Sequence, residues 1–186
     1  MDIQSRRRVV ITGLGAVTPL GNDVASTWAG IKAGKSGIGK ITLFDASDYP
    51  VKIAAEVKDF SLDAYGLDHK VVRKMARFTR FLTAASLQAV RDAGYDESSF
   101  GADASGIVNG VGIGGYDAIE DGFKKYCDPR FGVSRLPPLT APMRLQNEAA
   151  ANVSMFLGVH GPVWTISTAC ASGTDAIGLA SDLIRS

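Results

Sequence analysis

The chemistry of this sequence concentrates at Cys170, which stands in Thr165-Ile166-Ser167-Thr168-Ala169-Cys170-Ala171-Ser172-Gly173. The β-branched run before it reads as a buried strand, and the small residues that follow read as a tightly packed helix. The cysteine therefore falls on the turn where strand becomes helix. There the free N–H groups and the positive dipole end of the helix favour a thiolate and can hold a developing oxyanion, so one turn supplies both nucleophile and electrophilic support for acyl transfer. The competing reading makes Cys170 one more small buried residue, as free cysteines often are. Position on such a turn leaves both readings open.

The other residues able to do chemistry are few. Cys127 lies beside Asp128 and Pro129 with nothing nearby to activate it, and reads as structural or incidental. His160 raises a Cys–His hydrolase pair with Cys170, but five extended residues span about 17 Å, so the strand at Val163 to Ser167 carries the histidine to the opposite end. His69 reads as solvated, in the first turn of a helix. Two distant cysteines with no C-x-x-C and no clustered histidines argue against a disulfide framework and against a metal site.

The elements that must position Cys170 alternate along the chain. Arg8 to Thr12 predicts a strand closed by Gly13 and Gly15; Asn22 and Asp23 predict the cap of a helix running through Trp28 and Ile31 to Gly34. A loop from Gly34 to Pro50 precedes an extended segment at Val51 to Val57. Asp68 predicts the cap of one long helix reaching Gly94. Ser105 to Val111 reads as a strand, Tyr116 to Tyr126 as a helix, and Cys127 to Pro138 as irregular. Pro142 predicts the opening of a helix that Gly158 closes. The order predicts a layered α/β fold with no repeat or linker dividing it.

Lys70, Arg73, Lys74, Arg77 and Arg80 fall on one side of the expected long helix with no acid among them, opposite Val71, Met75, Phe78, Leu82 and Ala85. Such a stripe is either a solvated face or a docking surface for an acidic partner. The run Gly110-Val111-Gly112-Ile113-Gly114-Gly115 fits G-x-G-x-x-G, yet no Asp or Glu occurs from Pro129 to Gln146, where a ribose-binding acid belongs. A tight turn with Ile113 in the core is the plain alternative.

Composition adds boundaries. With 46% hydrophobic residues, 21% charged and a net charge of +1, the 186 residues can bury a core and offer no global attraction for nucleic acid or an anionic membrane. The start, Met1-Asp2-Ile3-Gln4-Ser5-Arg6-Arg7-Arg8, leads straight into the expected strand with no signal-peptide hydrophobic region, which makes the cytosol the expected location.

Thr168-Ala169-Cys170-Ala171-Ser172-Gly173 resembles the active-site stretch of the β-ketoacyl-[acyl-carrier-protein] synthases, and is most similar to the elongating type II branch. Val9 to Gly21 resembles the family's opening strand and loop. Arg73-Lys74-Met75, Gly112-Ile113-Gly114-Gly115 and Gly161-Pro162 follow in family order, so the resemblance runs from Arg8 to the end. It implies a thiolase-like layered α-β-α fold, built from two similar five-stranded halves, with residues 1–186 forming most of the N-terminal half.

Within that resemblance Cys170 is the catalytic nucleophile. Ile113 is the gate at the bottom of the acyl pocket, and Lys70, Arg73 and Lys74 dock the acidic acyl carrier protein in its acyl and malonyl forms. Arg77 and Arg80 extend that patch on the strength of their spacing alone. The resemblance implies fatty acid elongation by decarboxylative condensation, a homodimer, and no metal or redox cofactor. Family members are roughly twice as long, and their two catalytic histidines and supporting lysine lie in the second half; His69 and His160 match neither. The chain by itself is therefore expected to be inactive. A thiolase-like coenzyme A acyltransferase and a non-catalytic interaction role are the alternatives.

Overall fold

A computed structural model describes residues 7–95, 102–130, 134 and 136–186. The opening Met1 to Arg6, and part of the stretch read as irregular between Cys127 and Pro138, lie outside the described residues. Elements run α1 (Val24–Lys32), β1 (Ile38–Lys40), β2 (Ile53–Ala55), α2 (His69–Val72), α3 (Arg77–Asp92), β3 (Ile107–Gly110), α4 (Tyr116–Cys127), α5 (Thr140–Met143), α6 (Glu148–Leu157), β4 (Val163–Ile166) and α7 (Ser172–Arg185).

β3 and β4 pair in parallel, with Ile107 opposite Val163 and Gly110 opposite Ile166. Residues alternate between the faces of a strand, and Ile107 and Val163 pack against Leu87 and Val90 of α3 and Val153 and Leu157 of α6. Helix α7 packs on the same two strands. Val108 of β3 lines a hollow with Ala180 and Leu183 of α7. The result is the expected α-β-α layering, with the end of β4 aimed at the turn that carries Cys170. Among the described residues the central layer holds two paired strands. β1 and β2 form a separate antiparallel ribbon, and β1 lies inside the segment expected to be loop, because three residues are too short to show a strand pattern.

The cap signals act as read. Asp23 Oδ1 accepts from the Ser26 N–H at 2.6 Å and opens α1; Asp68 Oδ1 accepts from the Lys70 N–H at 2.7 Å and opens α2. Gly34, Gly94 and Gly158 take the left-handed conformation at helix ends, with φ of 63°, 82° and 62°.

Three expectations are corrected. The run Arg8 to Thr12 is not a strand: the N–H groups just after it turn to side chains of α3, Leu14 to Asp92 Oδ2 at 2.9 Å and Ala16 to Gln88 Oε1 at 3.1 Å. Gly13 and Gly15 allow this approach, since a Cβ on either would meet the carbonyl oxygen of Ala89 or Ala85 at 2.1 or 1.8 Å. The single long helix from Asp68 to Gly94 is two. It breaks at residues 73–76, where Met75 and Ala76 are fully buried and Ala76 is extended at φ −62°, ψ 159°. The helix assigned to Pro142 is also two, since Pro142 sits inside the four-residue α5 and Gly158 closes α6.

Candidate active site

Residues 169–171 form a short 3₁₀ turn between β4 and α7, and Cys170 is its middle residue, exposed to solvent. Ala169 is held at φ 53°, a left-handed conformation that costs a non-glycine residue on the order of 1–3 kcal/mol. Hydrogen bonds compensate. Ser172 Oγ donates to the Ala169 carbonyl at 2.7 Å and accepts from the Thr168 N–H at 2.9 Å, so one hydroxyl closes the turn from both sides. Thr168 Oγ1 donates to Asp175 in the first turn of α7, where a carboxylate also complements the helix dipole. The cap residue Ala171 brings no side-chain acceptor to α7, and the Ser172 N–H bonds back to the Ala169 carbonyl.

β3 supports the turn from beneath. A Cβ on Gly110 would lie 2.2 Å from the Ser172 carbonyl oxygen, and one on Gly112 2.9 Å from that of Ala169. Glycine at these positions lets the sheet touch the turn backbone directly. Gly114 meets the ring of Phe78, and Gly115, at φ 73°, meets the backbone of Met143 and Arg144. The glycine-rich run therefore serves close packing.

Beyond Gly112 opens a cleft of about 530 Å³, lined by Phe78, Phe81, Leu82, Val111 and Ile113 among others. Ile113 stands at its edge, 73% exposed, rather than in the core. Its neighbour Gly112 abuts the Ala169 carbonyl, so the apolar cleft and the cysteine turn adjoin at the carboxyl ends of the central strands. Of the Met and Phe residues between Met143 and Phe156, Phe156 packs against the cluster of Leu62, Met75 and Ala84.

Lys70, Arg73 and Lys74 are exposed and surround a hollow of about 370 Å³ with Leu139 at its wall. Arg77 and Arg80 do not extend this patch, because the helix break turns both inward. The Arg77 guanidinium donates from Nη2 to the Val57 carbonyl at 2.9 Å and lies over the Phe81 ring, 5.0 Å from its centroid. Arg80 Nε donates to the Met75 carbonyl at 3.1 Å.

Sequence reasoning missed Glu148, the first residue of α6. Burial pushes its carboxyl up to about 7, and Asp117 adds to the rise; the Ala76 N–H, Arg80 and Asn152 pull the other way. It gave no local signal, since a glutamate in a first helical turn is ordinary and its partner Thr79 is distant in sequence. His160 Nδ1 pairs with Asp103 at 2.9 Å at the far end of β4, so it cannot serve Cys170. His69 opens α2, exposed and paired with Asp63 at 3.3 Å. Cys127 is exposed at the end of α4. Among the described residues no three His, Cys, Asp or Glu side chains gather as metal ligands would.

The family model described as "Beta-ketoacyl synthase, N-terminal domain" matches residues 6–186. A 3-oxoacyl-[acyl-carrier-protein] synthase 2 of Synechocystis sp. is 42% identical over 180 residues, covering 97% of this chain and 42% of that protein. Among solved structures, the ishigamide ketosynthase/chain length factor superposes with a TM-score of 0.89 at 30% identity, over 97% of this chain and 45% of that one. A type II PKS acyl-carrier protein in complex with its ketosynthase gives 0.79 at 26% identity, over 97% and 48%. The chain spans less than half the length of each of these relatives. With the family model matched over residues 6–186 and the layered fold in common, this chain belongs to the β-ketoacyl synthase family, whose N-terminal domain it contains.

Proposed function

We propose that the protein containing this chain is an elongating β-ketoacyl-[acyl-carrier-protein] synthase in which Cys170 is the nucleophile. The observation that carries the reading is the turn itself: an exposed cysteine on a strained, hydrogen-bonded junction before a helix N-terminus, beside an apolar cleft. In the first half-reaction the Cys170 sulfur attacks the carbonyl carbon of an acyl-carrier thioester. The carrier thiol leaves with the proton, and the acyl chain remains as a thioester on the enzyme. The Cys170 N–H, in the turn before α7, is the proposed donor to the tetrahedral oxyanion.

In the second half-reaction the malonyl group on a second carrier loses carbon dioxide, and the resulting carbanion attacks the enzyme thioester. This forms the new carbon–carbon bond, gives a 3-oxoacyl carrier two carbons longer, and returns the Cys170 thiol. Proton handling for decarboxylation falls to residues outside this chain, in the other half of the protein. The cleft beyond Gly112, with Ile113 at its edge, suits the saturated chain.

Acyl carrier protein is the proposed partner. Support comes from the exposed cations Lys70, Arg73 and Lys74 around a hollow with one apolar wall, Leu139, a surface fitted to an acidic partner that also presents an apolar side chain. The related ketosynthase solved with its acyl-carrier protein supports the same partner. A homodimer and a cytoplasmic location are proposed with the family assignment; among the described residues no helix is long and apolar enough to cross a membrane.

The test is acylation of the full-length protein. Incubated with an acyl-carrier thioester, wild type is expected to gain one acyl mass, mapped to the peptide bearing Cys170, and C170A is expected to gain none. Acylation mapped to Cys127, or retained in C170A, rejects the reading.

A further inference from the structure

A helix leaves its first N–H groups without intrahelical partners. α3 begins after Ala76, which has no side-chain acceptor to offer them. Two carboxylates from other helices gather at this end. Asp117 Oδ2 of α4 accepts from the Arg77 N–H at 3.0 Å. Glu148 of α6 accepts from the hydroxyl of the fully buried Thr79, with the Ala76 N–H close enough to favour its charged form. Asn152 Nδ2 holds the other carboxyl oxygen, Oε1, at 3.1 Å. The junction between α2 and α3, which carries Arg73 and Lys74 at its surface, is thus fastened from below by α4 and α6.

We propose that Glu148, acting with Asp117, is the positioning residue of the basic docking surface: its carboxyl clamps the α2–α3 junction and sets how Lys70, Arg73 and Lys74 meet an acidic partner. The proposal rests on the carrier-docking reading above. It also makes docking proton-linked. The charged groups that act on Glu148 are Asp117 from α4 and Arg80 from α3, while Arg77 is engaged with Val57 and Phe81. Burial holds the carboxyl protonated toward about pH 7. Ionised, it adds a negative charge beneath a positive surface. Protonated, it keeps one acceptor oxygen and loses the opposing charge, so an acidic partner binds more tightly at pH 6 than at pH 8.

The test measures the Kd of acyl carrier protein for full-length protein at pH 6 and pH 8, with circular dichroism as the folding control. Glu148→Gln keeps an acceptor oxygen without the charge. It is expected to bind at pH 8 about threefold more tightly than wild type, and to lose that part of the wild-type pH dependence. Glu148→Ala removes the clamp and is expected to weaken binding about five- to tenfold at both pH values. His69 is present in all three proteins, so its contribution is common to them. A folded Glu148→Ala that binds as wild type, or a Glu148→Gln that keeps the wild-type pH difference, overturns the proposal. The charge reversal R73E with K74E separates it from the reading beneath: if that double variant is folded and binds as wild type, the docking surface itself is rejected.

Discussion

Gly110 and Gly173 look alike in the sequence and do opposite things. A Cβ at Gly110 would lie 2.2 Å from the Ser172 carbonyl oxygen, with the Gly173 nitrogen 2.7 Å away, whereas one at Gly173 would meet nothing within 4 Å. Backbone atoms cannot step aside as the end of a flexible side chain can. Gly110→Ala is therefore expected to destabilise the protein by about 1–3 kcal/mol in urea unfolding and to slow acylation of Cys170, because the turn must lift off β3. Gly173→Ala, one residue into α7, should be neutral or stabilising by up to about 1 kcal/mol. Equal effects at the two sites would mean that β3 does not hold the turn. The location of Cys170 was legible because a β-branched run followed by small residues is a local signal. The contact that supports it joins residues more than sixty apart in sequence and leaves no local trace.

Among the elements, caps were legible and the helix break was not. Asp23, Asp68, Gly94 and Gly158 each act within a few residues, so their types suffice. Residues 73–76 contain no glycine or proline. The chain leaves the helix there because Met75 and Ala76 are buried and because Asp117 receives the Arg77 N–H that a continuous helix would have used, while Glu148 anchors Thr79 one turn on. The break also converts Arg77 and Arg80 from surface charges into struts. Glu148 imposes a cost that can be measured. Its carboxyl is raised from an ordinary 4.5 to about 7, so between these values the folded chain holds a proton that the unfolded chain has released. The associated stability is greatest below pH 4.5, falls as pH rises through the window, and is lost above about pH 7. Because the group is only half-buried, solvent screening limits the effect to roughly 1–2 kcal/mol. Glu148→Gln is expected to gain that much relative to wild type between pH 5 and pH 8 in paired urea titrations. A constant difference between the two proteins across this range would show that burial does not raise the Glu148 carboxyl.

On the scale of the molecule, alternation of elements was enough to indicate a layered α/β fold, since period and turn chemistry are local, whereas the α-β-α arrangement came from the family resemblance. Strand pairing was not legible: the run at Arg8 to Thr12 has a strand's composition, but its backbone partner is not named by anything nearby. The same segment shows what the described residues leave uncovered. Val10 is 68% exposed, Ile11 80% and Ile177 on α7 71%, with Trp164 of β4 exposed as well. Extensive exposed apolar surface marks a place where other structure packs. In a family whose members are about twice this length, further residues of the same protein are the natural cover. The 186-residue chain expressed alone is therefore expected to bind the dye ANS with several-fold higher fluorescence per chain than the full-length protein. Polar substitution of Ile11 and Ile177 should lower the signal of the short chain. If the short and full-length proteins give equal fluorescence per chain, these apolar positions are ordinary surface and nothing packs over them.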